Sequence, residues 1–330
     1  MSKTRRKLVT MSALAALGLP AVRPTWAQAR AGIKRIGWIT NQPFATTDLP
    51  AVFFDAMRER GWVEGTHFVL DNLHYDGRFE RIPGLAAELV QRRVDVIVVS
   101  GSPAVGPVMK ATSTIPIVFL TVGDPVGSGF VSNLARPGGN VTGLGGLADG
   151  LVGKFLELLK QAVPRAQRIG VLINPDFSAH NAVQPDMAAA AQRLGLQLRW
   201  VPMRSQQDMD TAFTALAADR PDAVMLLGQP FVVTHRARIA ALALEHRLPM
   251  LSQFQELTHA GVLMSYGWRI EDELRRLPYY LDRILKGTPP GDLPVEQPTR
   301  FYLVLNQKTA KALGLPLPRS LLLQATEVVE

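Results

Sequence analysis

Short runs rich in β-branched residues alternate with longer helical patterns along the chain from residue 33 onward. This alternation is typical of an α/β fold in which helices cover a parallel sheet. The segment 94–99 ends in four consecutive apolar residues, as expected for a strand buried on both faces. With 330 residues, of which 47% are hydrophobic, the chain is long enough to bury two cores of ordinary size. The sequence therefore predicts a folded α/β protein with more than one domain.

The βα pattern restarts near residue 151, which predicts two doubly wound, Rossmann-like lobes. A single barrel is disfavoured because the glycine-rich stretch 123–150 breaks the register of βα units. A helix, a Pro/Gly-rich link and one more strand near the end of the chain predict two further crossings, so the lobes share a three-segment hinge. The predicted domains are 30–144 plus 267–295 for lobe 1, and 145–266 plus 296–330 for lobe 2.

The predicted elements follow from the same periodicity. The predicted strands are 33–39, 67–75, 94–99, 117–121, 141–143, 168–173, 197–201, 223–227, 250–251, 262–264 and 301–306. The predicted helices are 49–60, 81–92, 103–112, 151–162, 179–194, 208–218, 234–246, 271–286 and 307–313.

The first 29 residues have the three parts of an export signal: a basic start, an apolar run over 8–19, and the small-x-small site Ala27-Gln28-Ala29. Residues 4–9 resemble the twin-arginine pattern, and an ordinary secretory signal is an equal alternative. We expect cleavage after Ala29 and a soluble periplasmic protein, because no later segment has about 18 uninterrupted apolar residues. The absence of cysteine also argues against a lipoprotein anchor.

Charge and cysteine content narrow the function classes. The net charge is +8, but five basic residues and no acidic ones lie in the predicted signal, which leaves +3 for the rest. This small excess gives no reason to expect nucleic acid as a partner. Without cysteine there are no disulfides, thiolate metal sites or iron–sulfur clusters. The six histidines lack metal-ligand spacing, so we expect no metal and place most of them on the surface.

The segment 143–148 fits the degenerate dinucleotide pattern G-x-G-x-x-A. It lies midway along the chain, and no acidic residue follows a second strand to support a ribose contact. We therefore favour flexible glycines at a lobe crossing and expect no cofactor.

Side chains at the carboxyl ends of the predicted strands are the best candidates for a site, because open parallel sheets bind ligands at that edge. The candidates combine hydroxyl, amide and aromatic groups with little charge. They are Thr40, Asn41, Phe44, Ser100, Gly101, Ser102, Asp124, Gln229, Gln253, Phe254, Tyr266 and Trp268. Such a set indicates a binding site more than an acid–base catalyst, since we find no histidine in these loops.

Two of these candidates also have a structural interpretation. Pro103 fits the first position of a helix, so Ser102 is predicted to be its N-cap. The free N–H groups at that helix start would also receive a carboxylate, and the two roles are compatible. Asp124, which precedes Pro125, would bind an ammonium or hydroxyl group, but the favoured alternative is a structural role at a turn, in which it caps a short helix.

Several blocks of sequence, in order, resemble the tryptophan/tyrosine-type family of ABC-transporter substrate-binding proteins, which have the type I periplasmic binding fold. The blocks are 61–65 (GWVEG), 95–98 (DVIV), 114–119 (TIPIVF), 123–129 (GDPVGSG), 134–143 (LARPGGNVTG), 264–267 (MSYG) and 292–299 (DLPVEQPT). The resemblance implies two α/β lobes that close over a small ligand and deliver it to an ABC permease. It implies amino acids, including aromatic ones, as ligands, held by loops that match 100–102, Asp124 and Tyr266.

The chain departs from the resemblance at one position. Many relatives have Asp-Pro where this chain has Gln229-Pro230. An aspartate would balance an ammonium group in a buried cleft, and glutamine would not. An aromatic carboxylate or an amide therefore competes with an amino-acid zwitterion as the ligand.

Our leading hypothesis is a monomeric solute-binding protein of an ABC importer. Ser102 and nearby backbone would hold a carboxylate, and Asp124 or Gln229 the polar head. The apolar body would contact Phe44, Phe254, Tyr266 or Trp268. The alternatives are a receptor subunit that presents its closed form to a membrane sensor and, less favoured, an exported α/β enzyme.

Overall fold

The structure is a computed structural model that describes residues 32–43, 49–145, 151–229 and 231–330. The strands are β1 (Lys34–Thr40), β2 (Phe68–His74), β3 (Val96–Ser100), β4 (Ile117–Val122), β5 (Val141–Gly145), β6 (Arg168–Ile173), β7 (Gln197–Pro202), β8 (Ala223–Leu226), β9 (Met250–Ser252), β10 (Met264–Gly267), β11 (Tyr302–Asn306) and β12 (Glu327–Val329). The helices are α1 (Leu49–Glu59), α2 (Ile82–Gln91), α3 (Ser102–Ala111), α4 (Leu151–Ala162), α5 (Ser178–Ala182), α6 (Gln184–Arg193), α7 (Met209–Asp219), α8 (Arg236–Glu245), α9 (Gln255–His259), α10 (Ile270–Leu285), α11 (Gln307–Leu313) and α12 (Arg319–Gln324).

The first sheet is parallel throughout and has the order β2-β1-β3-β4-β5. Its central strand β3 is buried on both faces, and successive residues alternate between two cores. Ile97 and Val99 pack toward α2 and α3, whereas Val96 and Val98 pack toward α1 and α10. This two-residue period explains why the strand reads as an uninterrupted apolar run.

The second sheet has the order β12-β11-β10-β9-β8-β6-β7 and is parallel except where β11 runs antiparallel to β10. One face carries α4, α6, α11 and α12, and the other carries α7, α8 and α9. Each sheet, with helices on both faces, therefore forms one α/β lobe, as the alternating pattern predicts. Among the helices of the described residues, none has the length and apolar character needed to cross a membrane.

Three segments connect the two sheets: the one after β5, the one between β10 and α10, and the one between α10 and β11. The first and third are joined by backbone hydrogen bonds. Gly145 N–H donates to the Glu296 carbonyl at 3.0 Å, and Glu296 N–H donates to the Gly143 carbonyl at 3.2 Å. Arg276 of α10 adds two hydrogen bonds to the Glu296 carboxylate, at 2.6 and 2.7 Å. These contacts join the first and third crossings to each other and to α10.

Several sequence predictions are wrong in detail. The predicted single helix 179–194 is divided into α5 and α6, because Pro185 lies in the first turn of a new helix. The strand predicted at 262–264 instead spans Met264–Gly267. Gly143 and Gly145 lie in β5 at close contacts, so they are not the flexible glycines we expected. Residues 146–148 of the same motif, like the predicted export signal, lie outside the described residues.

Candidate functional site

A cavity of about 780 Å³ lies between the carboxyl ends of the two sheets. It is lined by the loops after β1, β3 and β4 on one side and by those after β6, β8 and β9 on the other. Nine of the residues predicted from strand ends line it: Thr40, Asn41, Ser100, Gly101, Ser102, Gln229, Gln253, Phe254 and Trp268. This position follows from the parallel order of the strands, which brings their carboxyl ends to one edge.

On the first side, several polar side chains form hydrogen bonds within the protein. Ser100 Oγ accepts from the Trp38 indole Nε1–H at 3.0 Å. Thr40 Oγ1 donates to the Gln42 carbonyl at 2.7 Å, and Asn41 Oδ1 accepts from Gly77 N–H at 2.8 Å. These bonds hold the wall of the cavity in one shape.

The predicted N-cap role of Ser102 is wrong. The helix α3 begins at Ser102 itself, and the residue before it, Gly101, is the N-cap with φ of 88°. Glycine is favoured there because other residues adopt this left-handed conformation at a cost. Ser102 Oγ instead accepts a hydrogen bond of 3.4 Å from Gly123 N–H, which links the loops after β3 and β4.

On the second side, the Gly228 peptide is held from both directions. Its N–H donates to Gln253 Oε1 at 2.6 Å, and its carbonyl is 2.9 Å from His180 Nε2. Because Asn174 N–H donates to His180 Nδ1 at 2.8 Å, the ring proton lies on Nε2, which donates to Gly228. Burial lowers the pKa of His180, so the ring stays neutral.

His180 is a site residue that sequence reasoning missed. We expected a surface histidine, and it is 5% exposed and lines the cavity. It lies inside a segment predicted to be one long helix, which the structure divides into α5 and α6. Both ring nitrogens are bonded to backbone, so its role in this arrangement is to position the Gly228 loop.

Gln229 is the most unusual polar group of the cavity wall. Its side chain is buried, with the residue only 3% exposed. Neither Oε1 nor Nε2 has a hydrogen-bond partner among the described residues. Buried amides are normally paired, so this unpaired amide is an exception among the polar groups of the cavity wall.

Aromatic rings contribute to the apolar wall of the cavity. Trp38 and Phe53 meet edge to face with centroids 5.0 Å apart. Further rings come from both sides of the cavity: Tyr75, Phe130, Phe177, Phe254 and Trp268. A cavity with this wall can enclose a flat apolar ligand body.

Two predicted site residues, Asp124 and Tyr266, are not among the described residues that line the cavity. Asp124 Oδ1 accepts from Gly127 N–H at 2.7 Å and so caps a turn. The ring of Tyr266 packs against the rings of Phe155 and Phe301 at a core of the second sheet, with centroid distances of 6.3 and 5.7 Å. Phe44 lies outside the described residues.

Charged groups are few in the cavity wall. Asp176 is largely exposed, and its Oδ2 lies 3.3 Å from Arg204 Nε. Burial and the nearby Glu271 raise the pKa of Glu256. Arg269 stacks over the Tyr302 ring at 4.2 Å and lies 3.4 Å from Glu327. In the described part of the chain, no three His, Cys, Asp or Glu side chains are grouped to hold a metal ion.

The chain is similar to a tyrosine-binding protein and to two solved structures. A tyrosine-binding protein of Clostridioides difficile is 24% identical over 264 residues, covering 80% of this chain and 75% of that protein. A conserved domain protein of Vibrio cholerae has a structure with TM-score 0.83 and 27% identity, covering 90% of this chain and 99% of that one. An ABC domain of Streptococcus pneumoniae in complex with L-Trp has TM-score 0.82 and 22% identity, covering 90% and 100%.

The architecture of two α/β lobes with a shared cleft is the type I periplasmic binding fold. The family model described as ABC transporter substrate binding protein matches residues 51–329, which is most of the chain. The chain therefore belongs to the ABC transporter substrate-binding protein family.

Proposed function

We propose that this chain is the periplasmic solute-binding protein of an ABC importer, which captures a small amino-acid-like or aromatic carboxylate ligand and delivers it to a permease. The observation that carries the proposal is the cavity between the two sheets, lined by aromatic rings and neutral hydrogen-bonding groups. A cavity of about 780 Å³ suits a small organic ligand. The tyrosine-binding relative and the L-Trp complex support an aromatic amino acid or an analogue.

Capture would proceed by closure of two lobes about the hinge. We assign 30–144 with 267–295 to lobe 1, and 145–266 with 296–330 to lobe 2, in line with the division of the strands between the sheets. Ser128 and Ser178, on opposite sides of the cleft, have their Oγ atoms 2.8 Å apart. A ligand that contacts both lobes stabilises the closed form, and the permease then recognises that form.

Within the cavity we assign roles by position and chemistry. Ser102 and the backbone at the start of α3 would hold the carboxylate. Gln229 would meet the polar head, and Phe254 with Trp268 would contact the apolar body. Asp124 and Tyr266 receive no ligand role, because they do not line the cavity.

The protein would be exported by a secretory or twin-arginine signal and act in the periplasm as a monomer, without cofactor or chemical change to the ligand. Membership of a substrate-binding family supports transport over catalysis.

The test is a thermal-shift screen of the purified protein after bound ligand has been removed by unfolding and refolding. Amino acids, aromatic carboxylates, amides and purines are each added. Ligand at about 100 times its dissociation constant stabilises the native state by about 2.7 kcal/mol, which is a readable rise in melting temperature. We expect a rise with aromatic amino acids or aromatic carboxylates. If no member of these two classes raises the melting temperature, the proposed ligand class is wrong.

A further inference from the structure

We propose that Glu273 is a positioning residue for the ligand cleft, which acts through two residues of the cleft wall, Thr121 and Trp268. When its carboxyl is neutral, it holds both residues in the arrangement that binds the ligand. When the carboxyl ionises, that arrangement changes and the ligand binds more weakly. The proposal rests on the proposed binding function and adds to it a residue that does not itself line the cleft.

Glu273 lies directly behind the wall of the cleft. It is in the first turn of α10, just after the second segment that joins the two sheets. It is only 6% exposed and borders a second, smaller cavity of about 250 Å³, the hinge cavity. Among the described residues, Trp268 alone lines both the ligand cleft and the hinge cavity. A change at Glu273 can therefore reach the cleft through the Trp268 ring.

Thr121 provides a second connection to the cleft. Its Oγ1 donates a hydrogen bond of 2.8 Å to Glu273 Oε2, and the residue lines the cleft. Its φ is 55°, in the left-handed region that β-branched residues rarely adopt. The register between β4 and β5 shifts at this point. A residue in such a conformation stays there only when its surroundings hold it, and the hydrogen bond to Glu273 is one contact that does so.

The hydrogen bonds of this carboxyl fit its neutral form. Oε1 has no partner among the described residues, although the side chain of Trp268 faces the carboxyl. A buried carboxylate needs donors at its oxygens, because an unpaired buried charge is costly. Burial accordingly raises the pKa of Glu273 to about 8. On ionisation Oε1 would attract a donor, and the indole N–H of Trp268 would turn toward it and move the ring in the cleft wall.

The charged groups around Glu273 do not offset its ionisation. Arg276 is bonded to the Glu296 carboxylate at 2.6 and 2.7 Å, and Arg300 in the wall of the hinge cavity is exposed to solvent. The negative charge of Asp272 raises the pKa of Glu273 further. Strands β3, β4 and β5, which pack against α10, have no charged residue in their sequences. Helix α1 also packs there, and its charged residues are exposed: Asp55, Arg58 and Glu59.

The direction of the effect on binding follows from these contacts. If only the neutral form binds well, the apparent dissociation constant equals the intrinsic one divided by the fraction of neutral form. That fraction is high below a pH of about 8 and falls as the pH rises through this value. Ligand affinity should therefore be present at neutral pH and lost at alkaline pH.

The experiment measures ligand affinity against pH by isothermal titration calorimetry, with L-tryptophan and indole-3-acetate as probes. The proteins are the wild type, Glu273→Gln and Glu273→Leu. Glutamine keeps an acceptor for Thr121 and carries no charge at any pH, whereas leucine keeps an apolar side chain of similar size and removes the acceptor. Glu157→Gln, at a half-exposed glutamate on α4, is the control. The ratio of variant to wild type at each pH removes any titration of the probe itself.

We expect the dissociation constant of the wild type to rise by about three- to tenfold between about pH 7 and 9. Glu273→Gln should stay within about threefold of the wild type at pH 7 and change by less than about twofold across the range. Glu273→Leu should bind at least about fivefold more weakly at pH 7, because the Thr121 hydroxyl loses its acceptor. Glu157→Gln should follow the wild type.

A second measurement needs no ligand. Fluorine NMR of protein that contains 5-fluorotryptophan reports on each indole, and Trp268→Phe identifies the resonance of Trp268. This resonance should shift with pH in the wild type, with a midpoint at about 8, and should not shift in Glu273→Gln.

Several results would overturn the inference, and they separate it from the proposed function. If a probe binds and the wild type has the same pH profile as Glu273→Gln, the positioning role is wrong and the binding function stands. The same holds if the Trp268 resonance does not titrate, or if Glu273→Gln loses affinity at every pH as Glu273→Leu does. If no probe binds and the thermal-shift screen is also negative, both proposals fail. Should Glu273→Leu not fold, the pH profile of Glu273→Gln decides the matter.

Discussion

At the scale of single residues, the carboxyl of Glu273 is a buried acidic group outside the candidate site. It is only 6% exposed and lies on α10, beside a hinge cavity of about 250 Å³. Its Oε2 accepts from Thr121 Oγ1 at 2.8 Å, but burial raises its pKa to about 8. This carboxyl is therefore mostly protonated at neutral pH.

Glu273 should make the free energy of unfolding depend on pH. Its pKa is higher in the folded chain than in the unfolded chain, so the folded chain binds more protons between about pH 4.5 and 8. The free energy of unfolding should then fall as pH rises through that window. The glutamine of Glu273→Gln carries no charge at any pH. At about pH 9 the free energy of unfolding of this variant should therefore exceed that of the wild type by on the order of 2–4 kcal/mol, with little difference near pH 5.

Urea denaturation across this pH range is the measurement. Glu157→Gln, at a half-exposed glutamate on α4 near Lys154, is the control and should follow the wild type at each pH. Equal stability of wild type and Glu273→Gln at high pH would show that the carboxyl ionises without cost.

The ends of the predicted strands located much of the site, but two buried titratable residues, one in the cavity wall and one at the hinge, were not predicted. Ser100, Gln229 and Gln253 were found because the end of a parallel strand is visible in the sequence. His180 and Glu273 were missed because their burial is decided by packing between segments far apart in the chain. The orientation of Tyr266 was equally hidden, since either face of a strand can carry an aromatic ring.

At the scale of elements, alternating apolar patterns predicted nearly every strand and helix, and tertiary context decided the remainder. The short elements α9, α12 and β12 have too few residues for a period to be read. Ser102 shows the same limit, because the glycine before it, at positive φ, supplies the cap instead.

The close approach of β5 to β4 gives a prediction at this scale. A Cβ atom at Gly143 would lie 2.3 Å from the Phe119 carbonyl oxygen, which the backbone cannot accommodate without moving. We expect Gly143→Ala to lower the free energy of unfolding by about 2–3 kcal/mol. Gly153→Ala on α4 is the matched control, because its new Cβ would meet Ala190 at an ordinary 3.6 Å.

The control should be more stable than the wild type by about 0.5–1 kcal/mol, since alanine suits a helix better than glycine. Urea denaturation of both variants provides the comparison. A Gly143→Ala variant as stable as Gly153→Ala would mean that the two strands separate freely.

At the scale of the whole molecule, the contact between Ser128 and Ser178 gives a direct test of closure. The chain has no cysteine, so Ser128→Cys with Ser178→Cys places a single pair across the cleft. The oxidised pair should hold the cleft closed and give a smaller radius of gyration by X-ray scattering than the reduced, ligand-free protein. Each single variant should behave as the wild type. Equal radii before and after reduction would count against an opening hinge.

Neither α/β lobe is completed by a continuous stretch of chain. The strands of the first sheet end at Gly145, but one of its faces is covered by α10, which comes much later in the chain at Ile270–Leu285. The second sheet lacks β11 and β12 until Tyr302–Val329 has been made, which leaves the edge of β10 without its neighbour. Contacts between such distant segments form slowly, and an unpaired edge invites aggregation. The second lobe should therefore be completed only after Tyr302–Val329 has been made, and a chain cut before that segment should self-associate.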